Sequence, residues 1–257
     1  MQITHASVAA PGHTNEDFVI AGPTWVAVLD GATPRAGVAS GCIHDVPWLV
    51  ARLASHLTWA LTTDAAVPLV DALAAAIEAT CRNHASTCDL GNPDSPSSTV
   101  ALLRQRPAGA VDYLVLADSP ILVETTAGLR VIADDRTAHL PGYTAEAIRA
   151  ARNQPGGFWV ASTTPQAAHE AVAGSLPQHS LTRAALVTDG VARWVDRVGL
   201  GSWEDLAAAL FQSGPQTVVD QIRSAELAQL PPVSTEPNGR MVKRHDDATA
   251  ALVTWEH

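Results

Sequence analysis

The stretch "NEDFVIAGPTWVAVLDG" (residues 15–31) sets two apolar runs, "FVI" and "TWVAVL", on either side of a Gly-Pro pair. Glycine frees the backbone and proline fixes φ, so this pair marks a chain reversal. With Pro23-Thr24 as the turn, the runs form an antiparallel hairpin and Asp17 falls opposite Asp30. Directly opposed like charges destabilise a strand pair, and aspartate is a poor strand residue in any case. Two remedies exist. One carboxyl takes up a proton, or a divalent cation sits between the two, since carboxylates and water are preferred ligands of magnesium and manganese.

The same placement recurs along the chain. "YLVLAD" ends in Asp118, "AALVTDG" (184–190) runs into Asp189, and "HDDATAALV" (245–253) opens on Asp246-Asp247. In an antiparallel sheet the end of one strand lies beside the start of the next. Asp17, Asp30, Asp189 and Asp246 are therefore expected at one edge of the fold. An Asp-Gly pair after a strand is also an ordinary hairpin corner, and "NED" or "HDD" alone suits a solvated loop. Only their ordered combination argues for a common pocket.

The chain has 257 residues, 47% of them apolar, enough for a sizeable core. Only 16% are charged and the formal net charge is −10. An acidic surface repels nucleic acid and anionic membrane, and neither is expected as a partner. The amino terminus lacks a signal-peptide pattern, and no run of about 18 apolar residues offers a membrane span. Cys42, Cys81 and Cys88 are odd in number and lack C-x-x-C spacing, which fits free thiols and a cytoplasmic location.

Helical spacing predicts helices over 48–61, 68–84, 143–154, 202–212 and 215–230. "GFWVAS" (157–162) reads as a strand, its Gly pair as a tight turn. "CDLGNPDSPSS" (88–98) and "AQLPPVSTEPNGR" (228–240) read as loops, and neither splits the chain, so 1–257 is expected to be one domain. Grouped strands, a helix pair and more strands indicate an α+β fold with antiparallel sheets and outer helices. No Gly-rich phosphate loop and no G-x-S-x-G elbow occurs.

In order, "NEDF" (15–18), "VAVLDGAT" (26–33), "SSTVALL" (97–103), "LVLADSP" (114–120), "ALVTDGVA" (185–192) and "HDDATAALV" (245–253) resemble the metal-dependent phosphatases of the protein phosphatase 2C family. The resemblance implies a four-layer α/β/β/α sandwich of two antiparallel sheets flanked by helices. It implies a centre of two manganese or magnesium ions, with a third at Asp118. Asp30 would bridge the two ions, the Gly31 carbonyl would ligate one, and Asp189 and Asp246 would complete the other site. Glu16 and Asp17 would act mainly through metal-bound water. Asp247 stands where the family often has Asn, which leaves Asp246 as the ligand. Such a centre lowers the pKa of a bridging water and offsets phosphate charge, so no protein nucleophile is needed.

The substrate side departs from the family pattern. Gly12 stands where an Arg usually grips phosphate, Ala32 where a His is the proposed general acid, and "ADSP" with Pro120 replaces "GDSR". By position, His13 and Arg35 are the candidates to fill these gaps, alongside Asp30, Asp189 and Asp246 as the catalytic set. His44 would reach the site only if its loop folded over it. The expected activity is hydrolysis of phosphoserine or phosphothreonine in proteins. The alternatives are a small-molecule phosphate ester as substrate, or a pseudophosphatase that only binds.

Overall fold

The computed structural model describes residues 1–33, 37–107 and 109–255. In chain order the strands are β1 (Gln2–Val8), β2 (Phe18–Ala21), β3 (Trp25–Leu29), β4 (Gly31–Ala32), β5 (Ser97–Ser98), β6 (Val100–Gln105) and β7 (Ala110–Leu116). There follow β8 (Ile121–Thr125), β9 (Gly128–Ile132), β10 (Val172–Pro177), β11 (Leu181–Val187), β12 (Val233–Thr235), β13 (Met241–Lys243) and β14 (Ala248–Thr254). The helices are α1 (Val46–Thr63), α2 (Leu69–His84), α3 (Ala145–Ala151), α4 (Asp189–Asp196), α5 (Trp203–Ser213) and α6 (Pro215–Gln229).

Strand β3 is buried along its whole length. Val26 and Val28 face the other sheet, while Trp25, Ala27 and Leu29 lie under helices. A strand covered on both faces reads as a continuous apolar run rather than an alternation, which is why "WVAVL" carries no polar residue. One sheet has the order β10-β7-β6-β3-β2, the other β1-β14-β11-β8-β9. Every pairing is antiparallel. Between the sheets, Val26, Val28, Leu103 and Val115 pack on Ile121, Val123, Leu186 and Val253.

Helices close both outer faces. The buried stripe of α1 (Leu49, Val50, Leu53, Leu57, Leu61) has helical spacing and covers Leu29, Leu102 and Leu114 together with Leu73 and Ile77 of α2. Helix α1 starts where the Asp45 side chain accepts from the Trp48 amide, 2.9 Å. On the other face, Leu206 and Leu210 of α5 and Val218 and Ile222 of α6 cover Leu122, Val187 and Leu252. Ser202 and Asp205 cap α5 reciprocally. The layers are thus α/β/β/α, the architecture expected. No described helix is long and apolar enough to cross a membrane.

Three expectations need correction. The helix foreseen over 143–154 stops at Ala151, because the Ala151 carbonyl accepts from the Phe158 amide at 3.1 Å as the chain turns back. A Cβ on Gly157 would lie 1.9 Å from that carbonyl, so the turn requires glycine. "GFWVAS" is no strand: it makes only the single bridges Arg152↔Phe158 and Ser98↔Ala161. The loop foreseen over 228–240 contains β12, which pairs with β13.

Leu102 is fully buried beneath α1 and α2. Leu102→Ala is expected to lower stability by about 2–5 kcal/mol in urea unfolding. Trp59→Ala, on the outer face of α1 at 70% exposure, should change it by less than about 0.5 kcal/mol.

Candidate metal centre

The β2–β3 hairpin turns at Pro23-Thr24, with the Gly22 amide bonded to the Trp25 carbonyl at 2.9 Å. Phe18 pairs with Leu29, so Asp17 and Asp30 occupy the next opposed positions. Asp17 is 5% exposed. Its Oδ2 accepts from Thr188 Oγ1 at 3.0 Å, and its Oδ1 is buried without a hydrogen-bond partner among the described residues. Thr188 is itself fixed by Thr249, whose amide donates to Thr188 Oγ1 at 2.9 Å.

Asp30-Gly31 is not a hairpin corner. The chain continues into β4, which pairs with β5. The Thr99 amide donates to the Asp30 carbonyl at 2.9 Å, and Thr99 Oγ1 lies 2.6 Å from Ser119 Oγ. A Cβ on Gly31 would come within 2.6 Å of the Glu16 carbonyl and 2.4 Å of Val46. Glycine is needed there because the two acid-bearing segments touch.

Asp189-Gly190 is not a corner either. Asp189 is the first residue of α4, where the helix terminus favours negative charge. A Cβ on Gly190 would lie 1.8 Å from the Asp247 carbonyl. This close approach brings the start of α4 against the entry to β14, and so Asp189 toward Asp246. The two adjacent aspartates then divide their work. Asp247 accepts from the amides of Ala10 (2.7 Å) and Glu16 (2.6 Å), one on each oxygen. Asp246 Oδ2 accepts from Arg193 at 2.8 Å. Arg193 also reaches Glu226 Oε1 (2.9 Å), while Arg223 (3.0 Å) and His245 (2.7 Å) hold Glu226 Oε2. Glu226 is 0% exposed, so this network anchors the segment that presents Asp246.

The charges are not balanced locally. Burial holds Asp30 well above the usual carboxylate range, and Asp17, Asp189, Asp246 and Asp118 push it further. Burial also holds Asp189 high, Asp246 and Asp118 add to the effect, and Arg193 opposes it. Burial lifts Asp17 to about 7 against hydrogen bonds from Thr249 and Thr188. Asp118 is raised by burial and eased by the Thr137 hydroxyl and Arg240. Glu16 is raised by burial and eased by its hydrogen bond from Thr33. Hard oxygen donors, mutual repulsion and the orphaned Asp17 Oδ1 are the properties of a divalent-cation site. The carboxylates are spread too widely for any three of them to bring ligand atoms within 4.8 Å of one another.

Asp118 follows Ala117, whose φ of 65° is a left-handed conformation that favours glycine. The family's "GDS" has glycine there. Here Asp134 Oδ2 accepts from the Ala117 amide at 3.0 Å and supports the turn.

The substrate side differs from expectation. Gly12 is exposed with φ 81°. His13 is exposed, its amide bonded to the Ala10 carbonyl at 3.0 Å, with no side-chain bond to the acidic cluster. Arg35 lies outside the described residues. His44 stacks on Trp48, with ring centroids 3.8 Å apart, and is not drawn to the carboxylates. The sequence reading missed Arg152. It lines a cavity of about 270 Å³ together with Asp118, Thr99, Ser97 and Thr137. It donates to the carbonyls of Pro93 (2.8 Å) and Ser95 (2.9 Å) and to Ser97 Oγ. Its Nε is buried without a partner among the described residues, and burial, opposed by the charge of Asp94, holds its pKa down at about 10. No motif surrounds Arg152. Thr188 and Thr249, by contrast, sit close to aspartates inside the quoted motifs, while Thr99 lies in "SSTVALL", which carries no acid.

The folded state holds protons on carboxyls that the unfolded chain has released. The metal-free protein should therefore lose stability as pH rises from about 4 through about 7. A cation requires the deprotonated forms. Millimolar manganese is expected to raise Tm by roughly 5–10 °C at pH 8 and much less at pH 5. Equal increments at the two pH values would show that these carboxyls are not ligands. Glu226→Ala should cost about 3–5 kcal/mol, read by urea unfolding, because it removes the buried carboxylate shared by Arg193, Arg223 and His245.

The protein phosphatase 2C sequence profile matches residues 8–230. No curated protein sequence matches the chain. The fold is similar to the serine/threonine phosphatase PstP/Ppp of Mycobacterium tuberculosis, at 15% identity and TM-score 0.61, covering 100% of this chain and 99% of that one. It is similar to the PPM Ser-Thr phosphatase MsPP of Mycobacterium smegmatis, at 15% identity and TM-score 0.60, with 100% and 99% covered. A structure of the PstP catalytic domain with two manganese ions aligns at 16% identity and TM-score 0.57, covering 98% of this chain and 96% of that one. With a profile match over most of its length, two facing antiparallel sheets and an acidic edge between them, the chain belongs to the protein phosphatase 2C family.

Proposed function

We propose that the chain is a divalent-metal-dependent phosphatase that works as one domain and hydrolyses phosphoserine and phosphothreonine in proteins. One observation carries this reading: Asp17, Asp30 and Asp189, from distant parts of the chain, are held above the usual carboxylate range by burial and by neighbouring carboxylates that include Asp246 at one edge of the sandwich, where Asp118 also bears on Asp30 and Asp189. A module that only binds has no need of such buried repulsion, which costs stability at neutral pH.

In this reading Asp30 would hold two ions. The Gly31 carbonyl would serve one of them, with Glu16 and Asp17 acting through water, and Asp189 and Asp246 would serve the other. Asp118 would serve a third. Manganese or magnesium bound there would lower the pKa of a coordinated water and offset the charge of the phosphate under attack. The wide spacing of the carboxylates suits a centre shared among several ions and waters. Thr99 fixes the backbone of Asp30, Thr188 orients Asp17, and Arg193 orients Asp246. Arg152 takes the part of the missing phosphate-gripping arginine: its hydrogen-bond partners are carbonyls and a hydroxyl, and Asp94, whose charge also bears on it, is paired with Arg149, so it can meet an anion in the cavity beside Asp118. His13, three residues before Glu16, supplies the proton to the leaving alcohol. The 270 Å³ cavity favours a second reading, in which a small phosphate ester is the substrate.

Manganese-dependent hydrolysis of p-nitrophenyl phosphate tests the chemistry. Asp30→Asn is expected to lower kcat on the order of a thousandfold. Absence of hydrolysis with every divalent ion would end the proposal. A panel of phosphopeptides against sugar and nucleotide phosphates decides between the two substrates. Arg152→Ala should raise KM by roughly 10–100-fold, as expected for a charged hydrogen bond to phosphate, with Arg152→Lys between it and the parent. His13→Ala should lower kcat by about a hundredfold on an alkyl phosphate and far less on p-nitrophenyl phosphate, whose leaving group needs no proton.

A further inference from the structure

Away from the acidic edge, Cys42, His84 and Cys88 bring their ligand atoms within 4.8 Å of one another. Among the described residues this is the one group of three or more His, Cys, Asp and Glu side chains that closes so tightly. Cys42 Sγ lies 2.9 Å from Cys88 Sγ and 3.5 Å from His84 Nδ1. We propose that these residues, with His44 as the fourth ligand, form a structural zinc site that ties the segment after β4 to the carboxyl end of α2.

The local structure builds the site from two short pieces. His84 is the last residue of α2, and the amides of Thr87 and Cys88 both bond to its carbonyl at 3.0 Å. This extra helical turn puts Cys88, four residues on, on the same face as His84. The other piece is Cys42-Ile43-His44. Ile43 donates its amide to Cys88 Sγ at 3.4 Å, and Thr87 Oγ1 stands 3.7 Å from the same sulfur. An amide such as that of Ile43 aimed at a ligating sulfur is the usual outer support of a thiolate site.

Distances agree with the chemistry. Zinc–sulfur bonds of about 2.3 Å and zinc–nitrogen bonds of about 2.0–2.1 Å give tetrahedral edges of about 3.8 Å between sulfurs and about 3.5 Å between sulfur and nitrogen. The observed sulfur–nitrogen edge already has this length, and the sulfurs need open by less than about an ångström. The His44 ring is stacked on Trp48, with its centroid 6.0 Å from that of His84. Two imidazoles on one tetrahedral ion stand about 5 Å apart by the same bond lengths, so a small swing completes the shell. His84 is 1% exposed, and its Nε2 has no partner among the described residues. A buried imidazole whose polar contact is a single sulfur at Nδ1 is poorly compensated, and a metal on Nδ1 would replace that contact by a bond. Two thiols and two neutral imidazoles bind Zn²⁺ with release of two protons, leaving a neutral centre.

The site has a structural consequence. The segments it joins are also bonded through Asp89 amide to Gly41 carbonyl (2.8 Å) and Asn92 Nδ2 to Ala39 carbonyl (3.0 Å). They carry Val38 and Asp94, which line the cavity that holds Arg152. Zinc would thus fix one wall of the substrate side without entering the chemistry.

The test uses the full chain purified without chelator. One zinc per chain by elemental analysis is expected, retained in Asp30→Asn and lost in the double variant Cys42→Ser/Cys88→Ser. That double variant should keep its manganese-dependent rise in Tm, which separates this site from the acidic one whether or not the protein is a phosphatase. Cobalt(II) added to the zinc-stripped parent should give the visible bands of tetrahedral thiolate coordination. Zinc should slow alkylation of Cys42 and Cys88 on the order of tenfold. The proposal is overturned if the stripped parent takes up neither zinc nor cobalt with both thiols reduced. It is equally overturned if intact mass shows the freshly purified chain lighter by two hydrogens, with Cys42 and Cys88 joined as a disulfide.

Discussion

The mutual repulsion of carboxylates held out of water is the constraint that the structure around the acidic edge answers. Asp17 and Asp30 are opposed across a hairpin whose apolar residues permit no other register. A one-residue slip would turn Val26 and Val28 out of the inter-sheet core and bring Ala27 and Leu29 into it. The hydrophobic core therefore holds the charges together and bears the electrostatic cost. Arg193 answers part of it, on the side of Asp189 and Asp246. Arg152, in the adjoining cavity, hydrogen-bonds to carbonyls and a hydroxyl and feels the charge of Asp94, which is itself paired with Arg149.

The supporting groups are mostly hydroxyls and amides. Thr99, Thr188 and Thr249 direct the aspartates without neutralising them. Asp247 shows the value of a second oxygen, since its two oxygens gather the amides of Ala10 and Glu16. An Asn at that position has one acceptor and would satisfy only one of them. Close packing at Gly31 and Gly190 completes the convergence, because any side chain there would push the acid-bearing segments apart.

The two candidate metal centres follow different chemistry. The acidic edge offers hard oxygen donors, widely spaced and strongly charged. The Cys42–His84–Cys88 group offers soft donors, tightly spaced and neutral on loading. The first is placed where substrate could be attacked and the second where a loop needs holding.

The four-layer sandwich was legible through the resemblance of the ordered motifs to a known family; the residues by themselves determined the hairpin turn, the opposition of Asp17 and Asp30 and the apolar stripes of α1 and α2. These are local: they depend on periods of 2 and 3.6 residues and on turn chemistry. Asp189 was legible as an acid after a strand, but its place as the first residue of α4 was not, since a strand tip and a helix start share the same letters. Only the tertiary structure decided that Arg152 enters the cavity, that Glu226 anchors Asp246 through Arg193, and that Cys42 meets Cys88. Each of these contacts joins segments more than thirty residues apart through loops and helix ends, where no periodicity records which face will meet which.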